Sequence, residues 1–240
     1  MSEPAPAPGQ LALVIGANGA IGSALLAELG QSGGFAEMMG LSRRSTPALD
    51  LLDEASVAAA AAQVAQRLAS RHLALKLVID ATGMLHSPSH QPEKSWRQID
   101  PGQMAQAFAI NAIGPALLMK HFLPLLPQQG RSVFASLSAK VGSIGDNRLG
   151  GWYSYRASKA ALNQLVRTAA FELQRLAPGA ICVALHPGTV DSPLSAPFAK
   201  TGLSVRSPSE AAQSLLAVLA GLRSADTGKL FSHEGDELPW

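Results

Sequence analysis

The stretch that most constrains this chain is Leu11-Ala12-Leu13-Val14-Ile15, followed at once by Gly16, Gly19 and Gly22. An apolar run without alternation is the pattern of a strand covered on both faces, which points to a parallel sheet between helical layers. A helical stripe then begins, with Ile21, Leu25 and Leu29 spaced four apart. Strand, glycine-rich turn and helix in that order predict an α/β fold. They also build a phosphate cradle, because glycines let backbone N–H groups approach an anion at the positive end of a helix. Gly16, Asn18, Gly19, Ala20, Ile21 and Gly22 are therefore candidate dinucleotide contacts; a tight turn with close helix–strand packing is the alternative reading.

A second strand is predicted over Glu37 to Leu41, ending in Ser42-Arg43-Arg44. An acid at this point binds the ribose 2′-hydroxyl of NAD, whereas arginine accepts a 2′-phosphate. Ser42 and Arg43 thus favour NADP over NAD, against the plainer reading of a solvated basic loop. Asp50-Leu51 is expected to end a short third strand and reach the adenine. An alanine-rich helix follows over about 54–69, and a strand over Leu75 to Ile79. That strand ends in Asp80-Ala81-Thr82-Gly83, whose small residues let a cofactor lie close to the backbone.

Residues 86–101 read as a loop, with His86 and His90 either as metal ligands or as solvated side chains. A helix over about 103–126 contains Pro115, which has no N–H to offer the carbonyl of Asn111. A bend is expected there, with that carbonyl open to water; an incidental proline kink is the bland reading. Ser132 to Leu137 is a further strand with Ser138 at its C-terminal end, where open parallel sheets gather their chemistry.

Tyr155 and Lys159 lie four apart in a stretch free of Gly and Pro up to Leu176, so they share a helix face. An ammonium beside a phenol lowers its titration from about 10 and makes it a usable general acid or base. An ordinary helix surface is the alternative. Ala180 to Leu185 is the next strand. After it, the turn through Pro187, Gly188, Val190 and Ser192 exposes backbone groups able to hold a planar amide. His186 at that junction is either an acid–base residue or a structural one. Residues 194–206 form a candidate lid. Ser207-Pro208-Ser209-Glu210 has the form of a capping box, opening a helix to about Leu222. A last strand covers Lys229 to Ser232, and Asp236 to Trp240 forms a tail.

The formal net charge of +2 and the scattered basic residues argue against nucleic acid as a partner. The one cysteine, Cys182, excludes an internal disulfide and a cysteine metal cluster; it sits in an apolar run and reads as a buried thiol. No metal is expected, since the six histidines show no ligand spacing. Met1 to Gln10 is read as a flexible tail without signal-peptide character, and residues 11–240 as a single domain. No run reaches about 18 uninterrupted apolar residues, so no membrane span and a cytoplasmic location are expected.

Taken in order, Gly16-Ala17-Asn18-Gly19-Ala20-Ile21-Gly22, Asp80-Ala81-Thr82-Gly83, Asn111, Ser138, Tyr155-x-x-x-Lys159 and Pro187-Gly188-Thr189-Val190-x-Ser192 resemble the short-chain dehydrogenase/reductase family from about Leu11 to Trp240. Gly150-Gly151-Trp152-Tyr153-Ser154-Tyr155-Arg156 and the Trp240 ending resemble its C-factor and sniffer-type carbonyl reductase branch. The resemblance implies one doubly wound Rossmann-type domain, with about seven parallel strands and helices on both faces. It further implies hydride exchange between NADPH and a small carbonyl or alcohol, in a homodimer or homotetramer. In that scheme Tyr155 exchanges the proton, Lys159 lowers its pKa and holds the nicotinamide ribose, Ser138 binds the substrate oxygen and Asn111 keeps a relay water. Val190 and Ser192 hold the carboxamide. Three positions depart from the family pattern: Ala20, Asp80-Ala81-Thr82-Gly83 in place of Asn-Asn-Ala-Gly, and Ser138-Ala139 in place of a serine pair, with Ser143 as the second candidate. A non-enzymatic NADP-binding regulator is the competing function. Leu149, Trp152, Leu194 and Phe198 either wall an apolar pocket or pack as a lid.

Overall fold

In the computed structural model, residues 8–88, 90–195, 197 and 204–240 are described. Strand β1 (Gly9–Ile15) takes in two residues of the expected tail. Its residues are divided between two cores. Leu11, Leu13 and Ile15 face one helical layer, while Ala12 and Val14 face the other, which is why the run shows no polar alternation. Helix α1 (Ala20–Ser32) buries Leu25 and Leu29, and β2 spans Glu37–Leu41. The expected short strand at Asp50-Leu51 does not form. A lone bridge from Ser42 to Ala48 is all the pairing there. Asp50 Oδ1 instead accepts from Leu52 N at 3.0 Å, and that turn leads into α2 (Glu54–Ser70), capped by Asp53.

Strand β3 (Leu73–Asp80) pairs with β1 on the side away from β2. The chain therefore reverses its direction of travel across the sheet between β1 and β3, which opens a crevice at their C-terminal ends. The helix expected over about 103–126 is composite. It comprises α3 (Pro101–Phe108) capped by Asp100, a π turn (Ala109–Ile113), α4 (Gly114–Phe122) and a final 3₁₀ turn (Leu123–Leu125). Pro115 thus produces a π turn around Asn111 where a bend was expected. In length and composition the run Pro101–Leu125 is apolar enough to cross a bilayer; its Leu118 and Phe122 are fully buried in the core.

Strands β4 (Ser132–Leu137) and β5 (Ala180–His186) flank the long helix α5 (Tyr153–Leu176) in sequence. Beyond β5, β6 (Thr189–Val190) pairs with β7 (Val205–Arg206), a small sheet in the stretch expected to be loop. Helix α6 (Pro208–Gly221) begins with the capping box read from the sequence. Strand β8 (Leu230–Ser232) pairs with β9 (Glu237–Leu238), so the expected tail is in part an edge strand. The sheet order is β2-β1-β3-β4-β5-β8-β9, parallel except for the last pair. The expectation of seven parallel strands is therefore corrected at β9. Helices α2, α4 and α5 contribute to the core on one face, and α1 and α6 to that on the other. Cys182 is fully buried, and its thiol is pushed up to about 12 by desolvation.

Candidate active site

The β1–β3 crevice starts at Gly16. Its φ of +83° favours glycine, and a Cβ there would sit 2.9 Å from the Ala81 carbonyl oxygen. A Cβ on Gly22 would meet the Gly16 carbonyl oxygen at 2.2 Å. Two of the three glycines are thus demanded by backbone packing whatever the turn binds. Binding is indicated by the next feature: Gly19 is the N-cap of α1 and supplies no side-chain cap. The first N–H groups of the helix, over Ala20 and Ile21, are left for an acceptor from outside. Asn18 Nδ2 donates to Ser42 Oγ at 2.9 Å and ties this turn to the end of β2. Arg43 is exposed on the adjoining turn and belongs to no ion pair among the described residues. Uncapped helix start, close backbone approach and available guanidinium fit a dinucleotide with a 2′-phosphate.

Ala81, Thr82 and Gly83 continue the crevice. Ala81 N donates to Ile15 O at 2.8 Å. Asp80 is buried, and its Oδ1 accepts from Thr82 N at 3.0 Å and Thr82 Oγ1 at 2.5 Å, while Oδ2 has no partner. Burial raises the Asp80 pKa, opposed by the Thr82 hydrogen bonds and by the charge of Lys159. Leu51 packs against Gly114, where an added Cβ would come within 2.8 Å of the Leu51 Cβ.

Two of the catalytic candidates, Lys159 and Asn111, meet at Gly83. A Cβ at this position would lie 3.5 Å from Lys159 Nζ and 3.6 Å from Asn111 Oδ1. Asn111 is fully buried; its Oδ1 accepts from Met84 N, and its Nδ2 donates to Met84 O and to Ser158 Oγ. The π turn thus presents a side chain that ties the end of β3 to α5. Lys159 is buried and donates to Leu137 O at 2.8 Å. Desolvation lowers its pKa to about 8, with Asp80 opposing the fall.

Tyr155 is partly buried one turn before Lys159 and packs edge-on against Trp152, with ring centroids 6.2 Å apart. Its pKa is pushed up to about 12 by desolvation, so the expected lowering by Lys159 is corrected here. Desolvation is the cause, and the same burial destabilises the Lys159 ammonium.

Ser138 does lie at the end of β4, but its hydroxyl donates to Asn163 Oδ1 at 2.6 Å. Ser143 is equally buried, and its Oγ accepts from Asp146 N at 3.1 Å. That contact uses the Ser143 oxygen as an acceptor and leaves its hydroxyl proton uncommitted. Gly142 beside it packs on Lys159, where a Cβ would meet the Lys159 Cβ at 2.8 Å.

Beyond β5, Gly188 turns with a φ of +78°, and Val190 is buried in the β6–β7 pair. Pro187 is partly buried, and Ser192 Oγ lies 3.1 Å from Ser195 Oγ. His186 faces His233 edge-on, and burial, then His233, then Lys140 lower its pKa to about 4. It is therefore neutral at physiological pH. His86 Nε2 lies 3.1 Å from Pro193 O, and His90 Nδ1 lies 3.3 Å from Ser87 Oγ. Among the described residues no three His, Cys, Asp or Glu side chains are grouped to hold a metal. Leu149 is 92% exposed, so it does not wall a pocket here; Leu194 is partly buried, and Phe198 lies outside the described residues.

Two residues with structural leverage on the site escape a reading by motif. Glu93 is 2% exposed and binds the first turn of α5. Arg156 donates to the carbonyls of Val141, Gly150 and Gly151. Neither belongs to a spacing pattern, and Glu93 lies in a proline-containing loop that reads as solvated.

A switch-point crevice with an uncapped glycine turn and a Tyr-x-x-x-Lys helix defines a nucleotide-dependent oxidoreductase of doubly wound type. A family model described as "Enoyl-(Acyl carrier protein) reductase" matches residues 27–215. The chain belongs to the short-chain dehydrogenase/reductase family of NAD(P)-dependent oxidoreductases. It is 36% identical to C-signal of Myxococcus xanthus over 142 residues, 59% of this chain and 81% of that one. It is 30% identical to 1-hydroxy-2-glutathionyl-2-methyl-3-butene dehydrogenase of Rhodococcus sp. over 198 residues, covering 81% of this chain and 79% of the other. Among solved structures, NADPH-bound carbonyl reductase from chicken fatty liver superposes with a TM-score of 0.83 at 27% identity, over 98% of this chain and all of that one. The Sniffer carbonyl reductase of D. melanogaster gives 0.82 at 19% identity, over 97% and 100%, a likeness of fold.

Proposed function

We propose that the protein is an NADPH-dependent carbonyl reductase with Tyr155 as its proton donor. The observation that carries this reading is the convergence of Lys159 and Asn111 on Gly83, one helical turn from Tyr155 and directly after the Ala81–Thr82 backbone that packs on Gly16. Similarity to an NADPH-bound carbonyl reductase and the position of Arg43 support the choice of cofactor. Gly16, Gly19 and the first turn of α1 would hold the pyrophosphate, Arg43 the 2′-phosphate, Lys159 the ribose, and the Pro187–Ser192 turn the carboxamide.

NADPH, when bound, supplies a hydride to the carbonyl carbon. Tyr155 donates its phenolic proton to the carbonyl oxygen. A phenol titrating at about 12 is fully protonated at neutral pH, as a donor must be. In this reading the phenolate left behind takes its proton back from solvent. Ser143, with its hydroxyl proton available, is the better candidate for the substrate oxygen than Ser138, whose proton is committed to Asn163. The same reading takes the protein as cytoplasmic and as a homodimer or homotetramer.

The test is NADPH oxidation by purified protein against a panel of aldehydes and ketones, with Tyr155→Phe as the control. Turnover lost in that variant is expected. Tight NADPH binding with no substrate-dependent oxidation by the parent would sink the reading. Such a result would favour the alternative, an NADP-binding signalling protein, to which the similarity to C-signal lends weight.

A further inference from the structure

Helix α5 begins in an unfavourable conformation. Gly150, Gly151 and Trp152 have φ of +63°, +67° and +54° in succession. A tryptophan in the left-handed region is uncommon and costs about 1–3 kcal/mol unless its surroundings enforce it. The helix has no capping side chain of its own, yet its third residue is Tyr155. What enforces the geometry comes from a loop about sixty residues upstream. Glu93 O accepts from Trp152 N at 2.5 Å. The Glu93 carboxylate accepts from Ser154 N, at 3.3 and 3.2 Å to its two oxygens, and from Ser154 Oγ. It therefore satisfies an orphan donor at a helix start, where a negative charge also complements the helix dipole.

The same loop is fastened on its other side. Gln103 Nε2 donates to Gln91 O at 2.8 Å, Gln98 Oε1 accepts from Lys94 N at 2.7 Å, and Asn111 grips Met84. Glu93 and Tyr155 line one small cavity together with His86, Gln103 and Ser154. The loop that borders the phenol is thus also the part that holds the phenol's helix turn.

We propose that Glu93 is a positioning residue for Tyr155, clamping the left-handed lead-in of α5 so that the phenol is held in its desolvated place. It touches neither substrate nor cofactor in this scheme. The consequence for turnover rests on the carbonyl reductase reading; the clamp itself does not, and the two can be tested apart.

The chain has two tyrosines. Protein carrying Tyr153→Phe and labelled with 3-fluorotyrosine therefore gives a single ¹⁹F signal, from Tyr155, whose fluorine also brings the titration to milder pH. In this background, Glu93→Ala should move the titration midpoint down toward that of free fluorotyrosine, because the first turn frays and the ring is solvated. Glu93→Gln keeps an acceptor for Ser154 and should restore the parental midpoint. Ser154→Ala removes one donor and should give a smaller downward shift, which keeps the test available if Glu93→Ala does not fold.

With a turned-over carbonyl in hand, Glu93→Ala should lower kcat about tenfold or more, as misplacing a reacting group does, with the KM for NADPH unchanged. A midpoint equal to the parent's in both folded Ala variants would overturn the proposal. Normal shifts together with no turnover of any carbonyl by the parent would leave the clamp standing and remove only the reductase reading.

Discussion

Lys159 is the residue whose replacement separates stability from function most sharply. Its ammonium is buried, and its pKa falls from 10.5 to about 8. A charged base with a depressed native pKa opposes folding at every pH below that value. The size follows from the free energy of a tenfold change in proton affinity, about 1.4 kcal/mol, so the penalty near pH 7 is about 3 kcal/mol. Lys159→Met keeps the length of the side chain and removes the charge. It also leaves the Leu137 carbonyl without its donor, a loss of about 1 kcal/mol or somewhat more. The net expectation near pH 7 is a variant more stable than the parent by about 2 kcal/mol and devoid of turnover. The sign of the pH dependence is fixed by proton counts. Between about 8 and 10.5 the unfolded chain holds more protons at this site than the native one, so parental stability rises with pH there. The advantage of the variant should therefore shrink by about 2 kcal/mol between about pH 7 and about pH 9.5. Urea unfolding of both proteins at the two pH values measures this. A difference that does not change with pH, or a variant less stable at both, would refute the assignment of a buried, destabilised ammonium.

Tyr155 gives the opposite slope. With a native pKa of about 12 against 10.0 unfolded, the native state holds the extra proton, so stability should fall as pH rises through that window and Tyr155→Phe should flatten the fall; pH-jump unfolding rates would show it. Arg43→Ala should weaken NADPH by roughly tenfold, the loss of about one charge-assisted contact, and leave NADH nearly unchanged; equal losses would remove Arg43 as the phosphate reader. Ser143→Ala should cost far more turnover than Ser138→Ala, and the reverse order in steady-state kinetics would return the role to the end of β4. Asp80→Asn removes the anion that opposes the fall in the Lys159 pKa, so the ¹³C-labelled Lys159 ε-carbon should titrate below the parental value. An unmoved midpoint would break the proposed coupling.

What could be read from the chain follows from how locally each feature is determined. The β1–α1 unit is written in contiguous residues, and so are β2, β4 and the Ser207 capping box, all of which form where the residue pattern put them. Strand β9 was missed because Glu237–Leu238 is two residues long and exists only through its pairing with β8. The π turn was half legible: Pro115 announced a disturbance at Asn111, but whether a helix bends or widens depends on what its neighbours offer. The engagement of the Ser138 hydroxyl depends on Asn163, a partner 25 residues along the chain that no motif names. The phenol pKa was misjudged because spacing reports a neighbouring charge while desolvation depends on the packing of the whole crevice. Glu93 illustrates the same limit, since a side chain's burial in a proline-containing loop is decided by what folds over it.

The widened turn at Ala109–Ile113 also bears on how the protein tolerates change. It accommodates one residue more than a regular α-helical turn would, so deleting any one of the five could relax the backbone into an ordinary helix. Each residue of a helix turns it by about 100°. Such a deletion would cost that rotation only inside the turn: Leu118 and Phe122 would keep their phase on the core, while the Asn111 amide would be carried away from Met84 and Ser158. Loss of one residue from this short segment should therefore spare the fold and disturb the site, whereas a side-chain replacement at exposed Ile113 would go unnoticed.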